Sequence, residues 1–187
     1  MTYEDITRIA RSLRRIHETT DPRVLCRYLD IQIDGFAMGS GSGALKGLIT
    51  RNSRCATITI NSELPRRTQD IVIFHEIGHY ALNHHKRKQV CAFHDYGVFD
   101  NTSELEDEAN RFVAEYLLED QQTLEVLHER KDFFTAASCL HVPKEILDYK
   151  MRMLRYYELL TKECPIYTRR DCMGRIDCSG IETEDYA

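Results

Sequence analysis

Two histidines spaced four apart with a glutamate between them can do chemistry that neither does alone. The string His75-Glu76-Ile77-Gly78-His79 lies inside an apolar run that opens Ile71-Val72-Ile73-Phe74 and continues Tyr80-Ala81-Leu82. On a helix, residues i and i+4 project from one face, so both imidazoles can hold a single zinc ion while Glu76 stands beside it to activate a water. Zinc lowers the pKa of a coordinated water from about 15.7 toward 7, which makes hydrolysis the expected reaction. Glu76 follows His75 round the helix by about 100°, close to the metal without occupying it, so its expected role is general base: it takes the water's proton and delivers it to the leaving amine. The flanking residues are apolar on both sides, as a buried active-site helix requires; a surface helix would alternate with charge.

Two histidines leave zinc short of a third protein ligand. The segment that opens at Thr102-Ser103 offers Glu104, Glu106, Asp107, Glu108 and Glu115 before and within the apolar face Leu105, Phe112, Val113, Tyr116 and Leu117. Ser103 with Glu106 three residues later fits a capping box, which would occupy Glu106 at the helix start. Glu108 lies four residues before Phe112 and seven to nine before Glu115-Tyr116-Leu117, so it shares the inward side, whereas Asp107 points elsewhere.

The pairing of His75-Glu-Ile-Gly-His-Tyr-Ala-Leu-Asn-His84 with Glu106-Asp-Glu-Ala-Asn-Arg-Phe-Val-Ala-Glu-Tyr-Leu-Leu118 closely resembles the ImmA/IrrE family of zinc metallopeptidases. The resemblance extends from about residue 20 to 160. It implies a gluzincin-like site in which the glutamate of the Glu-Ala-Asn element, here Glu108, is the third zinc ligand beside His75 and His79, with Glu76 as catalytic base. It also implies a substrate: a helix-turn-helix transcriptional repressor, often one encoded by a phage or other mobile element. One departure is visible, since this chain reads Leu117-Leu118-Glu119-Asp120 where family members commonly continue with Met-Pro.

Positioning such a site is the task of the surrounding elements. Ile6, Ile9, Ala10, Leu13 and Ile16 at helical spacing predict an amphipathic helix over 3–17, whose arginines form a solvated face, and Asp21-Pro22 opens a second helix. Residues 39–47, Gly-Ser-Gly-Ser-Gly-Ala-Leu-Lys-Gly, lack the Gly-Lys-Ser/Thr ending of a phosphate loop and read as a mobile loop. Leu45–Thr50 and Cys55–Ile60 follow as a β-hairpin, in which Thr57 and Thr59 alternate with Ile58 and Ile60. Cys55–Ile60 is expected to act as an edge strand that pairs with an extended peptide, as in other zincins. The metal helix should start after Pro65 and run to about Asn83-His84, which places His84 and His85 at a polar helix end off the metal face. In the loop 86–102, His94 and Tyr96 are candidates for stabilising an oxyanion, with packing the preferred role. Helical patterns continue through 121–130, 132–140 and 143–160. The expected architecture is an α+β, mostly helical zincin-like domain with a small antiparallel β-hairpin or sheet and C-terminal helices, spanning residues 1–160, with 161–187 as a partly disordered extension.

Composition sets bounds on this reading. A chain of 187 residues can bury a substantial core as one unit. No stretch approaches the roughly 20 apolar residues that cross a bilayer, and the acidic start is unlike a signal peptide, so a cytoplasmic protein is expected. Its seven cysteines are scattered without a Cys-x-x-Cys pair, which implies reduced thiols rather than a disulfide framework. Residues 71–130 hold 5 basic and 12 acidic side chains, net −7, which favours cations and disfavours nucleic acid around the metal residues. Two competing functions remain: a DNA-binding regulator using the helix-turn-helix cadence at 133–160, and a non-catalytic anti-repressor that sequesters its partner by binding alone. Lys144, Lys150, Arg152 and Arg155 in that second helix are interrupted by Glu145 and Asp148, which favours packing between helices over phosphate contact.

Overall fold

The computed structural model of the chain describes residues 1–41, 44–52, 55–84, 101–130 and 132–166, with the backbone alone for 101–103. Helix α1 (Tyr3–His17) starts where the Thr2 hydroxyl accepts from the amide of Asp5 and stops where Glu18 turns left-handed. Helix α2 (Pro22–Tyr28) starts on Asp21, whose carboxylate accepts from the amides of Arg23 and Val24, with proline at the first position where its missing N–H costs nothing.

Three strands follow: β1 (Ile31–Phe36), β2 (Gly47–Arg51) and β3 (Ala56–Asn61), in the order β1-β3-β2. The anticipated hairpin is present, with β2 antiparallel to β3 and Gly47 opposite Ile60. The sheet is mixed rather than wholly antiparallel, because β1 joins it parallel to β3, with Ile31 opposite Ala56. Strand β1 carries no alternation to announce it: Ile31 is buried, the residues after it are mostly exposed, and Asp34-Gly35 interrupts the pattern. This arrangement corrects the expectation for Cys55–Ile60. Strand β3 is the central strand, paired on both sides, so an added peptide cannot use its edge; among the described residues the free edges belong to β1 and β2.

The loop between β1 and β2 is held by one buried side chain. The Asn61 amide nitrogen donates to the carbonyls of Gly39 (2.8 Å) and Leu45 (3.1 Å), and its carbonyl oxygen accepts from the amides of Met38 and Glu63.

Helix α3 (Arg66–Ala81) runs across the sheet with every residue from Ile71 to Gly78 buried, the signature of a helix enclosed on all sides. A Cβ added to Gly47 would come within 2.7 Å of Val72, so this glycine allows β2 to lie directly on α3. On its other flank α3 packs against α4 (Asn101–Leu117), where Phe74, Phe112 and Tyr116 stack at centroid separations of 5.2 and 5.9 Å. Arg14 of α1 donates to the carbonyls of Tyr116 and Leu117 and so satisfies the end of α4, which here proceeds without Met-Pro.

Helices α5 (Asp120–Glu129), α6 (Phe133–Cys139) and α7 (Lys144–Tyr156) complete the bundle. In α7 every residue from Ile146 to Met151 is buried, together with Met153 and Leu154. Lys150 is fully enclosed, and Arg152 is paired with Asp148 and lies over the Tyr149 ring. Of the four cations named for a helix-turn-helix reading, Lys150 and Arg152 are thus engaged within the fold, while Lys144 and Arg155 are exposed. Among the described residues Cys26, Cys55, Cys139 and Cys164 are free thiols, and no helix is long and apolar enough to cross a membrane. His85, His94, Tyr96 and the tail beyond residue 166 lie outside the described residues.

Candidate functional site

Helix α3 presents His75 and His79 on one face, as their spacing requires. Their Nε2 atoms stand 3.0 Å apart, and the carboxylate of Glu106 closes the triangle: Oε2 is 2.9 Å from His75 Nε2, and Oε1 is 3.4 Å from His79 Nε2. Tetrahedral zinc with ligand bonds near 2.0–2.1 Å separates its ligands by roughly 3.3 Å. The observed triangle is within a few tenths of an ångström of that size, and these three are the described residues able to hold one ion together. His75 is enclosed, with a side chain 4% exposed, whereas His79 and Glu106 are 14% and 13% exposed, so the open side of the cluster lies toward these two.

The electrostatics fit a cation. Burial by itself would keep His75 neutral, but the hydrogen bond and charge of Glu106, helped by the charge of Glu76, raise its pKa. Burial likewise opposes ionisation of Glu106, and the hydrogen bond from His75 together with the nearby His79 imidazole overcomes it, holding its carboxyl well below the usual range. Asn110 donates to Tyr149 OH (3.4 Å), which donates to Asp107 (3.0 Å), and Asp107 is paired with Arg111. This chain ties α4 to α7.

Glycine at 78 sets how closely α3 and α4 approach. A Cβ there would lie 3.1 Å from Phe112 Cδ1, 3.2 Å from the Ala109 carbonyl oxygen and 3.4 Å from Ala109 Cα. The phenyl ring can yield, but the backbone of α4 cannot without carrying Glu106 away. Gly78→Ala should therefore lower stability by about 1–3 kcal/mol, even though alanine gains up to about 1 kcal/mol of helix propensity. Urea unfolding of the two proteins measures the difference, and an alanine variant more stable than wild type would refute the close contact.

The structure rearranges two of the sequence expectations. Glu106, not Glu108, is the carboxylate that stands at the two Nε2 atoms. Helix α4 begins at Asn101, so Ser103 is an internal residue rather than the N-cap that a capping box needs. Periodicity could not choose between the two glutamates, because residues 107–110 are buried in an unbroken run and Glu108, at 1% exposure, is as inward as its neighbours. His84, expected at a polar helix end, is 2% exposed and part of the assembly. Helix α3 stops at Ala81 and Asn83 adopts a left-handed conformation (φ 55°), so the chain folds back and brings His84 Nδ1 to 2.8 Å from His79 Nδ1. Its Nε2 lies 3.0 Å from Glu108 Oε2. The signal for this turn in the sequence is Asn83, one of the residues that readily enters the left-handed region and reverses a helix end. Glu76 is buried, 8% exposed, next to His75 on the same helix.

A helical domain with a small sheet, carrying a histidine pair and a carboxylate at the crossing of two buried helices, is the framework of a metallopeptidase. Residues 26–152 match the family model of the IrrE N-terminal-like domain, and the chain belongs to that family of metallopeptidases. Comparison with curated proteins gives no significant match.

Proposed function

We propose that this protein is a zinc-dependent endopeptidase of narrow specificity, with His75, His79 and Glu106 as metal ligands and Glu76 as general base. The observation that carries the reading is the convergence of two Nε2 atoms and one carboxylate at 2.9, 3.0 and 3.4 Å. Two imidazoles and a carboxylate are a donor set that suits zinc and leaves a fourth position open. A metal held there supplies Lewis acidity that polarises the scissile carbonyl and makes water acidic enough to attack at neutral pH. Glu76 accepts the attacking water's proton and passes it to the departing amine, so that the C–N bond breaks after the C–O bond has formed.

Substrate entry fits β2. Strand β2 has a free edge and packs on the helix that carries His75 and His79, with Arg51 at its end 5.3 Å from the centroid of the Tyr80 ring. An extended peptide added to that edge would gain backbone hydrogen bonds, with alternate side-chain pockets setting sequence preference. The substrate we propose, a helix-turn-helix repressor of a phage or mobile element, rests on the family resemblance alone.

Metal analysis tests the site. Wild-type protein purified under metal-replete conditions should carry about one zinc per chain, and His75→Ala or Glu106→Ala should lose it, while Glu108→Gln keeps the ion. If Glu106→Ala retains zinc and Glu108→Gln does not, the ligand is Glu108 and the assignment of Glu106 fails. Absence of stoichiometric metal in the wild type would remove the enzymatic reading altogether.

A further inference from the structure

Behind the metal ligands runs a chain of polar groups that the hydrolytic reaction does not itself use: Glu108, His84 and His79 in line, 3.0 and 2.8 Å apart, with Glu108 and His84 almost wholly buried. Its proton positions follow from the chemistry of the partners. A carboxylate can only accept, so His84 Nε2 carries the hydrogen and donates it to Glu108 Oε2, while Glu108 Oε1 accepts from the amino group of Met1. Neutral His84 then has a bare Nδ1, which can only accept. His79 Nδ1 is then the donor, and Nε2, the nitrogen that faces His75 and Glu106, is left as the one through which His79 would hold a metal. Each link fixes the tautomer of the next, and the last link is the metal-facing nitrogen.

Resting on the metal site of the proposed function, we propose that Glu108 and His84 are positioning residues. They lock His79 in its metal-binding tautomer and ring orientation through a carboxylate–histidine–histidine chain. An oriented N–H acceptor also makes the opposite ring nitrogen more basic and strengthens its hold on a cation. The reversal at Asn83 returns the buried His84 to the site, where it meets His79 Nδ1. The carboxylates of α4 thus divide the work, with Glu106 at the ion and Glu108 two links behind it.

The test uses the full-length protein and reads metal affinity rather than turnover. Zinc dissociation constants come from chelator competition, and the visible absorption of the cobalt(II)-loaded protein reports ligand geometry. Losing an outer partner of this kind typically weakens metal affinity about 10–100-fold, which is the change expected for His84→Ala. His84→Asn should recover most of the loss, because its amide oxygen lies near the position of Nδ1 and accepts from His79. Glu108→Gln, whose carbonyl still accepts from His84 Nε2, should fall between wild type and His84→Ala. Unfolding of the metal-free variants shows whether a loss of affinity merely tracks a loss of fold; His84→Ala and His84→Asn proteins of equal apo stability but different affinity support the orienting role. Wild-type zinc affinity in His84→Ala, or an asparagine variant no better than alanine, overturns it. These outcomes are separable from failure of the metal site itself, which His75→Ala reports independently.

Discussion

Replacing Glu76 by glutamine should abolish detectable peptide-bond hydrolysis while leaving the metal in place. The amide is nearly the same size as the carboxylate, so the buried position beside His75 keeps its packing, and the proposed ligand triangle of His75, His79 and Glu106 loses no member. What should disappear is the proposed ability to take a proton from the attacking water, a contribution of about 10²–10⁴ in rate. Single-turnover cleavage of a candidate repressor, with zinc content measured on the same samples, checks both halves of this expectation. A protein that acts by sequestering its partner would be indifferent to the change, so unchanged function in Glu76→Gln would move the reading from enzyme to binder. Loss of metal in that variant would instead place Glu76 among the ligands.

Legibility in the sequence follows how local each signal is. His75, Glu76 and His79 are set by one helix and its 3.6-residue period, and an apolar run long enough to be buried announces that helix. The hairpin is legible for the same reason, because Thr57 and Thr59 against Ile58 and Ile60 require no partner to be recognised. The partners that come from elsewhere are harder to read. Choosing Glu106 over Glu108 depends on the rotation of α4 against α3, which is set by the contact of Gly78 with Ala109 and Phe112, residues far apart in the chain. A helix buried on nearly all sides gives periodicity no outward face to exclude. His84 is hidden for a different reason: a helical wheel extended past Ala81 assumes a continuing helix, and the left-handed Asn83 cancels that assumption within two residues. Strand β1 belongs to the sheet by pairing with β3, and its own sequence lacks the alternation that reveals a strand.

The largest stability effect is expected at Lys150, outside the proposed site. Its ammonium is fully enclosed and lies 2.7 Å from Glu115 Oε1 and 2.6 Å from Asp120 Oδ1, while Arg11 Nη2 of α1 meets the same two carboxylates at 2.8 Å each. Two cations and two anions thus join α1, α4, α5 and α7, and charge balance holds only while all four are present. Lys150→Met fills the volume but leaves the Glu115 carboxylate, itself fully buried, with half its compensation. Removing one partner from such a pair costs about 3–5 kcal/mol, largely through the stranded charge. For a chain of this length that corresponds to a fall in Tm of roughly 10 °C, readable by calorimetry. Lys150→Met with Glu115→Gln should recover part of the loss by neutralising the stranded anion, and a double variant no better than the single one would refute the charge argument. The same cluster gives an acid limb with a definite sign. Burial would raise the Asp120 pKa, but hydrogen bonds and charge from Lys150 and Arg11 outweigh it and hold the folded value below the ordinary 3.8. A group with a depressed folded pKa contributes stability above its unfolded pKa and loses it as pH falls through the folded one. Wild-type stability should therefore decline below about pH 4, and Asp120→Asn, less stable at neutral pH, should show a shallower decline over the same range. An equally steep acid limb in Asp120→Asn would assign the effect to other carboxylates.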